Sequence, residues 1–201
     1  GGNVIVTGSL GTAVVTVGND FTMTTAAAKA AAGGNINKAG GGNGKLAVTL
    51  NAATDTAVDL NSIGGDALNS VTVADSLTFT GTLHGTIDTT VANGVTLQTT
   101  ATLAAGKAIV EAGDDDATTV ITALHDALSA DLSAITTDSV TAAFTVTNDA
   151  VVNLAATLGK AVVTFTGGDG AGNDIVNIDS ATLNTATFVV TGNAVLQGTA
   201  A

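Results

Sequence analysis

Lys45-Leu46-Ala47-Val48-Thr49-Leu50 sets Leu46, Val48 and Leu50 at alternate positions. Successive side chains leave a strand on opposite sides, so a period of two marks a strand with one buried face. Small β-branched residues repeat the pattern over 4–7, 14–17, 21–25, 71–73 and 77–82, then over 95–99, 108–111, 140–147, 151–154, 161–166, 175–178, 187–191 and 194–197. Starts are often about ten to thirteen residues apart. Turn formers stand between many of them: Gly18-Asn19-Asp20, Gly64-Gly65-Asp66, Asn93-Gly94, Asn148-Asp149, Gly167-Gly168-Asp169-Gly170 and Gly192-Asn193. The rhythm predicts a mainly β protein.

Two segments break it. Ile121, Leu124, Leu128, Leu132 and Ile135 step by three and four, behind Asp114-Asp115-Asp116, whose carboxylates suit a helix N-terminus. That spacing predicts one amphipathic helix near residues 116–136. Ala26-Ala27-Ala28-Lys29-Ala30-Ala31-Ala32 favours a helical turn, and the Gly/Asn-rich stretch to Gly44 makes 26–44 a flexible Ala/Gly insertion. The chain then divides into a β-rich region 1–113, a helix 114–138 and a β-rich region 139–201. These are expected to form one continuous structural unit or a fragment of a longer chain. The opening Gly1-Gly2-Asn3, without Met, suits a processed or trimmed chain or a piece of a longer one.

Two architectures fit the strands. A β-solenoid suits small side chains, closely spaced strands and stacked Thr and Asn, since each coil packs only on its neighbours. Irregular spacing speaks for a β-sandwich instead, whose core would draw on Phe21, Phe79, Phe144, Phe165 and Phe188.

Charge narrows the function. Seventeen acids, sixteen Asp and Glu111, face five Lys and no Arg, giving a net charge of −12. Such a surface repels phosphate backbones and anionic lipid, so no nucleic acid is expected as a partner. Thr, Asn, Gln and Gly interrupt the uncharged stretch 89–106, which lacks the run of Leu, Ile and Phe of a spanning helix, so no membrane span is expected. With no Cys there are no disulfides and no thiol chemistry. No nucleophile elbow, phosphate loop, dinucleotide fingerprint or H-E-x-x-H occurs, and nothing aligns His84 with Asp88, or His125 with Asp126, toward a Ser. No catalytic residues and no enzyme are expected. His84 reads as a turn residue beside Gly85, and His125 as the polar face of the helix.

The sharpest local signal is Asp169-Gly170-Ala171-Gly172-Asn173-Asp174-Ile175-Val176-Asn177. Against the calcium β-roll nonapeptide G-G-x-G-x-D-x-U-x, Gly170, Gly172, Asp174 and Val176 match, while Asp169 replaces the first Gly. Glycines let carbonyls turn inward and Asp adds a hard anionic oxygen, the ligand type Ca²⁺ takes. Asp169, Asn173, Asp174 and Asp179 are therefore the candidate metal ligands, with a plain Gly-Asp turn as the competing reading. Asp114-Asp115-Asp116 reads as a helix cap. The other Asp residues, at strand ends, are expected to satisfy turn amides.

Over its whole length the composition, dominated by Thr, Ala, Gly, Val, Asn and Asp with scarce Lys and no Cys or Pro, resembles bacterial surface-layer (S-layer) proteins and related large secreted proteins of the RTX type. Ala150-Val151-Val152-Asn153-Leu154-Ala155-Ala156-Thr157-Leu158, followed by the 167–177 turn, looks like such chains. The resemblance implies a secreted, cell-surface protein that folds with calcium and self-associates into a lattice or filament. A second reading is an adhesin or stalk module presenting loops to a cell-surface glycan. A divalent ion bound only by the folded state would stabilise it and screen the acidic chain, and open sheet edges would offer backbone groups to the next copy.

Overall fold

The computed structural model describes residues 1–113, 116–146, 150–168 and 172–198 of the 201-residue chain. The alternating segments become strands, and three stretches outside them, Ile36–Lys38, Thr89–Val91 and Thr118–Thr122, do so too; the order begins β1 (Gly2–Val6), β2 (Val15–Val17), β3 (Phe21–Ala26), β4 (Ile36–Lys38), β5 (Lys45–Leu50), β6 (Leu68–Val73), β7 (Leu77–Thr78), β8 (Thr89–Val91) and β9 (Thr96–Thr100). They continue as β10 (Ile109–Glu111), β11 (Thr118–Thr122), β12 (Ser139–Val146), β13 (Val151–Asn153), β14 (Val162–Gly167), β15 (Asp174–Asn177), β16 (Thr187–Thr191) and β17 (Ala194–Gln197).

Every strand pairing among the described residues is parallel. Parallel neighbours cannot be joined by a hairpin; the chain must travel a dozen or more residues before it returns. Here one full coil makes that journey. Two six-stranded sheets, β1-β3-β5-β6-β8-β10 and β16-β14-β12-β11-β9-β7, form the long walls, with β13-β15-β17 and β2-β4 as shorter ones. The protein is a β-solenoid of about nine turns, so of the two expected architectures the solenoid is the one formed. The irregular spacing lies in the corners: one coil advances 18 residues from Val71 to Thr89 and another 26 from Ile109 to Ile135.

Stacking puts like positions over one another. One inward column runs Val6, Thr25, Val48, Val71, Thr89, Ile109 and Ile135, all buried after the first. Another runs Leu77, Leu97, Thr119 and Val140. Each fully buried aliphatic side chain in such a column contributes about 1.5–3 kcal/mol relative to exposure. Among the buried threonines, Thr25 donates to the Val6 carbonyl at 3.0 Å and Thr119 shares a 2.8 Å bond with Thr137, whereas the Thr99 hydroxyl meets no partner among the described residues. Close stacking also explains a glycine: a Cβ on Gly34 would collide with the Ala13 carbonyl of the neighbouring coil.

The amphipathic helix expected at 116–136 is not formed. Thr118–Thr122 is strand β11, paired with β9 and β12, and Leu124–Asp126 is a single 3₁₀ turn. The run Thr118-Thr119-Val120-Ile121-Thr122 is β-branched throughout, which restricts χ1 and favours the pleated surface. Asp116 and Ala123 adopt left-handed backbone (φ 77° and 52°), which no helix continues through. Ile121, Leu124, Leu132 and Ile135 are all buried, but as the inward residues of strand, corner and bridge. An inward position shifted by one at each corner mimics helical spacing.

The 26–44 segment is part of a coil. α1 (Ala27–Ala31) forms the expected helical turn, and β4 follows, paired with β2. The N-terminus of α1 is held from the next coil: Oδ1 of fully buried Asp55 accepts the Ala28 N–H at 2.8 Å. Its Oδ2 accepts the Asn51 backbone N–H at 2.8 Å and side-chain amide at 3.0 Å. Asp55 thus ties two successive coils through one carboxylate.

Candidate functional site

Of the glycine-rich motif, Gly172, Asn173 and the strand from Asp174 onward lie among the described residues, and 169–171 lie outside them. Asp174 opens β15 facing inward, fully buried. Its Oδ2 accepts the Gly168 N–H at 3.2 Å, and its Oδ1 meets no hydrogen-bond partner among the described residues. On the coil above, Asn193 donates its side-chain amide to the Gly172 carbonyl at 3.2 Å, and Ala194 pairs with Asp174. A Cβ on Gly167 would strike Asn193, so the two turns approach closely enough that only glycine fits.

The other candidates divide. Asn173 is exposed beside Asp174. Asp179 lies past the far end of β15, where its N–H donates to Asn177 Oδ1 at 3.0 Å. At about 3.3 Å per residue the length of β15 alone puts about 10 Å between the two ends, so Asp179 does not join Asp174. Asp169 lies outside the described residues, as do Asp114 and Asp115 of the acidic triplet. No group of three or more His, Cys, Asp or Glu side chains converges among the described residues. Calcium takes about six to eight oxygens. The orphaned, buried Oδ1 of Asp174 suits one of them.

Loop carboxylates elsewhere act as expected, on turn amides. Asp59 accepts from Asn61 N–H at 3.0 Å, Asp66 from Lys38 N–H at 2.6 Å, and Asp131 from Ser133 N–H at 3.0 Å and Oγ at 2.6 Å. Those Ser133 bonds hold the Asp131 carboxyl below its ordinary pKa. His125 is in the 3₁₀ turn, not on a helix, with Nε2 3.0 Å from Asp126 Oδ1 and its ring edge-on to Phe144.

His84 forms the turn expected of it: Nδ1 accepts the N–H groups of Thr86 at 3.2 Å and Ile87 at 3.0 Å. Partial burial, with the Lys107 charge added, holds this imidazole below its ordinary pKa. Protonation would remove the accepting lone pair. The stabilisation is therefore present above the unfolded value of about 6.5 and is lost as pH falls below it through the folded pKa. His84→Asn, which keeps an acceptor at the same reach, is expected to flatten the fall in thermal midpoint between pH 7.5 and about 5.5. Identical slopes for the two proteins would exclude the effect.

The feature sequence reading did not single out is the pair of solenoid ends. Val4, Ile5, Val14 and Phe21 are exposed at one, Val189, Val190 and Val195 at the other. Val4, Val6, Leu10, Val15, Phe21 and Met23 line an open hollow of about 250 Å³ where the core meets solvent. Among the described residues no helix is long and apolar enough to cross a membrane. No known protein family, curated protein or solved structure matches the chain.

Proposed function

We propose that the chain is a structural subunit of an extracellular, self-assembling surface layer or filament, stabilised by calcium. The observation that carries this reading is the rod itself: stacked parallel coils whose outermost strands among the described residues, β1, β16 and β17, each pair on one side only. Unpaired strand edges are templates for another chain. Sixteen Asp and a net charge of −12 set copies against one another unless a cation intervenes, which assigns calcium a second task beside folding. The Asp174 corner supports an ion there, because a buried carboxylate oxygen without a donor is costly and a cation would satisfy it.

Electron microscopy and sedimentation of the purified chain, with millimolar calcium and with chelator, test the reading. Ordered sheets or filaments are expected with calcium and dispersal with chelator. The thermal midpoint should rise with calcium, since a ligand at a hundred times its dissociation constant adds about 2.7 kcal/mol. An unchanged midpoint would remove calcium from the account. Monomers under every condition would remove the array, and monomers that retain a glycan would favour the adhesin or stalk module.

A further inference from the structure

We infer that the rod carries a binding groove for an acidic saccharide on the outward face of β5, β6 and β8, where Lys38 and Lys45 take the negative charge of the ligand. A single chain holds the whole groove, so the inference stands apart from the array reading. Between Asp20 and Asp55 the sequence has three Lys and no acid, whereas all seventeen acids and only two Lys lie in the rest of the chain. Lys29 is engaged, its Nζ donating to the Thr7 carbonyl. The ammonium groups of Lys38 and Lys45 meet no ion-pair or hydrogen-bond partner among the described residues. Both side chains line one hollow of about 150 Å³. At physiological ionic strength charges more than about 8 Å apart are largely screened, so two ammonium groups at contact outweigh the distant acids.

Local structure fixes this hollow. Lys38 ends β4 and Lys45 opens β5, and the connection turns through Gly40 and Gly41 at φ 29° and 74°. A Cβ on Gly44 would collide with the Val17 carbonyl, so the turn lies directly on the neighbouring coil. Asn43 anchors it by exchanging two 2.7 Å hydrogen bonds with Asp20. Asp66, also in the lining, accepts the Lys38 N–H through Oδ1. Beside it the ladder slips: Leu46 pairs with Leu68 but Ala47 with Ser70, which leaves Asn69 as the extra, exposed residue of a β-bulge. Bulges re-aim side chains and are over-represented next to functional sites. Asn69 lines a second hollow as well, of about 340 Å³, with Ser70, Thr86, Asp88 and Thr90. The two hollows meet at Asn69 in a groove that crosses the strands, with ammonium groups at one end and hydroxyls at the other.

That lining selects the ligand. Asn, Ser and Thr donate and accept while Asp accepts, which suits a ring bearing several hydroxyls, and the two ammonium groups suit an acid on such a ring. A peptide fits less well. Strand addition needs a free edge, and β5, β6 and β8 are each paired on both sides, while helix docking needs an apolar groove. Exposed ion pairs are individually weak, so affinity requires the acid and the hydroxyls together.

Titration of the whole chain, followed by NMR, tests this with trimers of galacturonate, of mannuronate and of sulfated galactose, beside a neutral galactose trimer, triglutamate and inorganic sulfate. At least one acidic trimer is expected to shift the amides of residues 38–45, 66–70 and 86–90. It should bind about tenfold more tightly, or better, than the neutral trimer, triglutamate or sulfate. Lys38→Gln combined with Lys45→Gln should lower that affinity about tenfold while the thermal midpoint stays at the parent value. If the double variant does not fold, each single variant takes its place, with a loss of about threefold expected. The site is overturned when no acidic trimer shifts these amides, when the lysine variants keep the parent affinity, or when triglutamate or sulfate binds as tightly as the trimer. Calcium-dependent assembly of a chain that ignores every trimer would leave the array without this groove. Trimer binding by a chain that stays monomeric would leave the groove without the array.

Discussion

Asp55→Ala is expected to destabilise the solenoid by about 3 kcal/mol or more, since hydrogen bonds to a charged group contribute about 1.5–3 kcal/mol each and are not additive. Three donors converge on this carboxylate: the Ala28 N–H at the start of α1 and both nitrogens of Asn51. Asp55 is fully buried, so bulk water does not reach these donors in the folded protein. Truncation leaves donors unpaired on two coils at once, which costs more than the net value of the bonds. Asp55→Asn separates charge from shape. Its amide keeps one accepting oxygen but turns an N–H₂ group toward remaining donors, so it should recover little. Urea unfolding measures both variants: a lower midpoint with unchanged slope is the expected result. A midpoint within about 0.5 kcal/mol of the parent, the range of ordinary surface substitutions, would show that the carboxylate does not hold the coils.

Asp55 also illustrates what can be read from the chain before its coordinates. That loop Asp residues satisfy backbone amides follows from their chemistry, and Asp59, Asp66 and Asp131 do so within or between turns. Which coil an Asp reaches into does not follow, because that depends on coil length. Most of the strands were legible, since alternation as in Leu46, Val48 and Leu50 depends only on one face being buried; β4, β8 and β11 were not. The choice between solenoid and sandwich was not. Coils of 18 and 26 residues carry no fixed period, and the difference is absorbed in corners whose geometry no alternation records.

The mistaken helix has the same origin. A corner shifts the inward position by one, so Ile121 and Leu124 fall three apart while belonging to a strand and a 3₁₀ turn. The β-branched run 118–122 was the opposing signal, and it decided the outcome. At the candidate site, residue type placed Asp174 in a Gly-rich turn, but its complete burial and orphaned oxygen required the coil above, with Asn193 and Ala194 packed over it. Asp179 was grouped with it by proximity in sequence, and the intervening strand carries it away.

Phe165→Ala is expected to cost about 3–5 kcal/mol, the usual range for truncating a buried phenylalanine, with loss of ring–ring contacts among the causes. Phe165 is 1% exposed and lies between two rings, edge-on to Phe144 at 5.8 Å and stacked on Phe188 at 5.5 Å. It therefore links β12, β14 and β16 through side chains as well as through the backbone ladder. In a solenoid each coil contacts only its neighbours, so the loss should not spread evenly. Coupling between the last coils and the rest should weaken, while β5 and β6, several coils away, keep their own columns of Leu50, Val48, Val71 and Val73. Hydrogen exchange distinguishes the two cases: amides of β14 to β17 should lose protection in the variant while those of β5 and β6 retain it. Phe165→Leu, which restores most of the apolar volume without the ring, should recover the larger part of the stability. Uniform loss of protection along the whole chain would mean that the rod unfolds as one cooperative body, and that its coils are not the separable units their stacking implies.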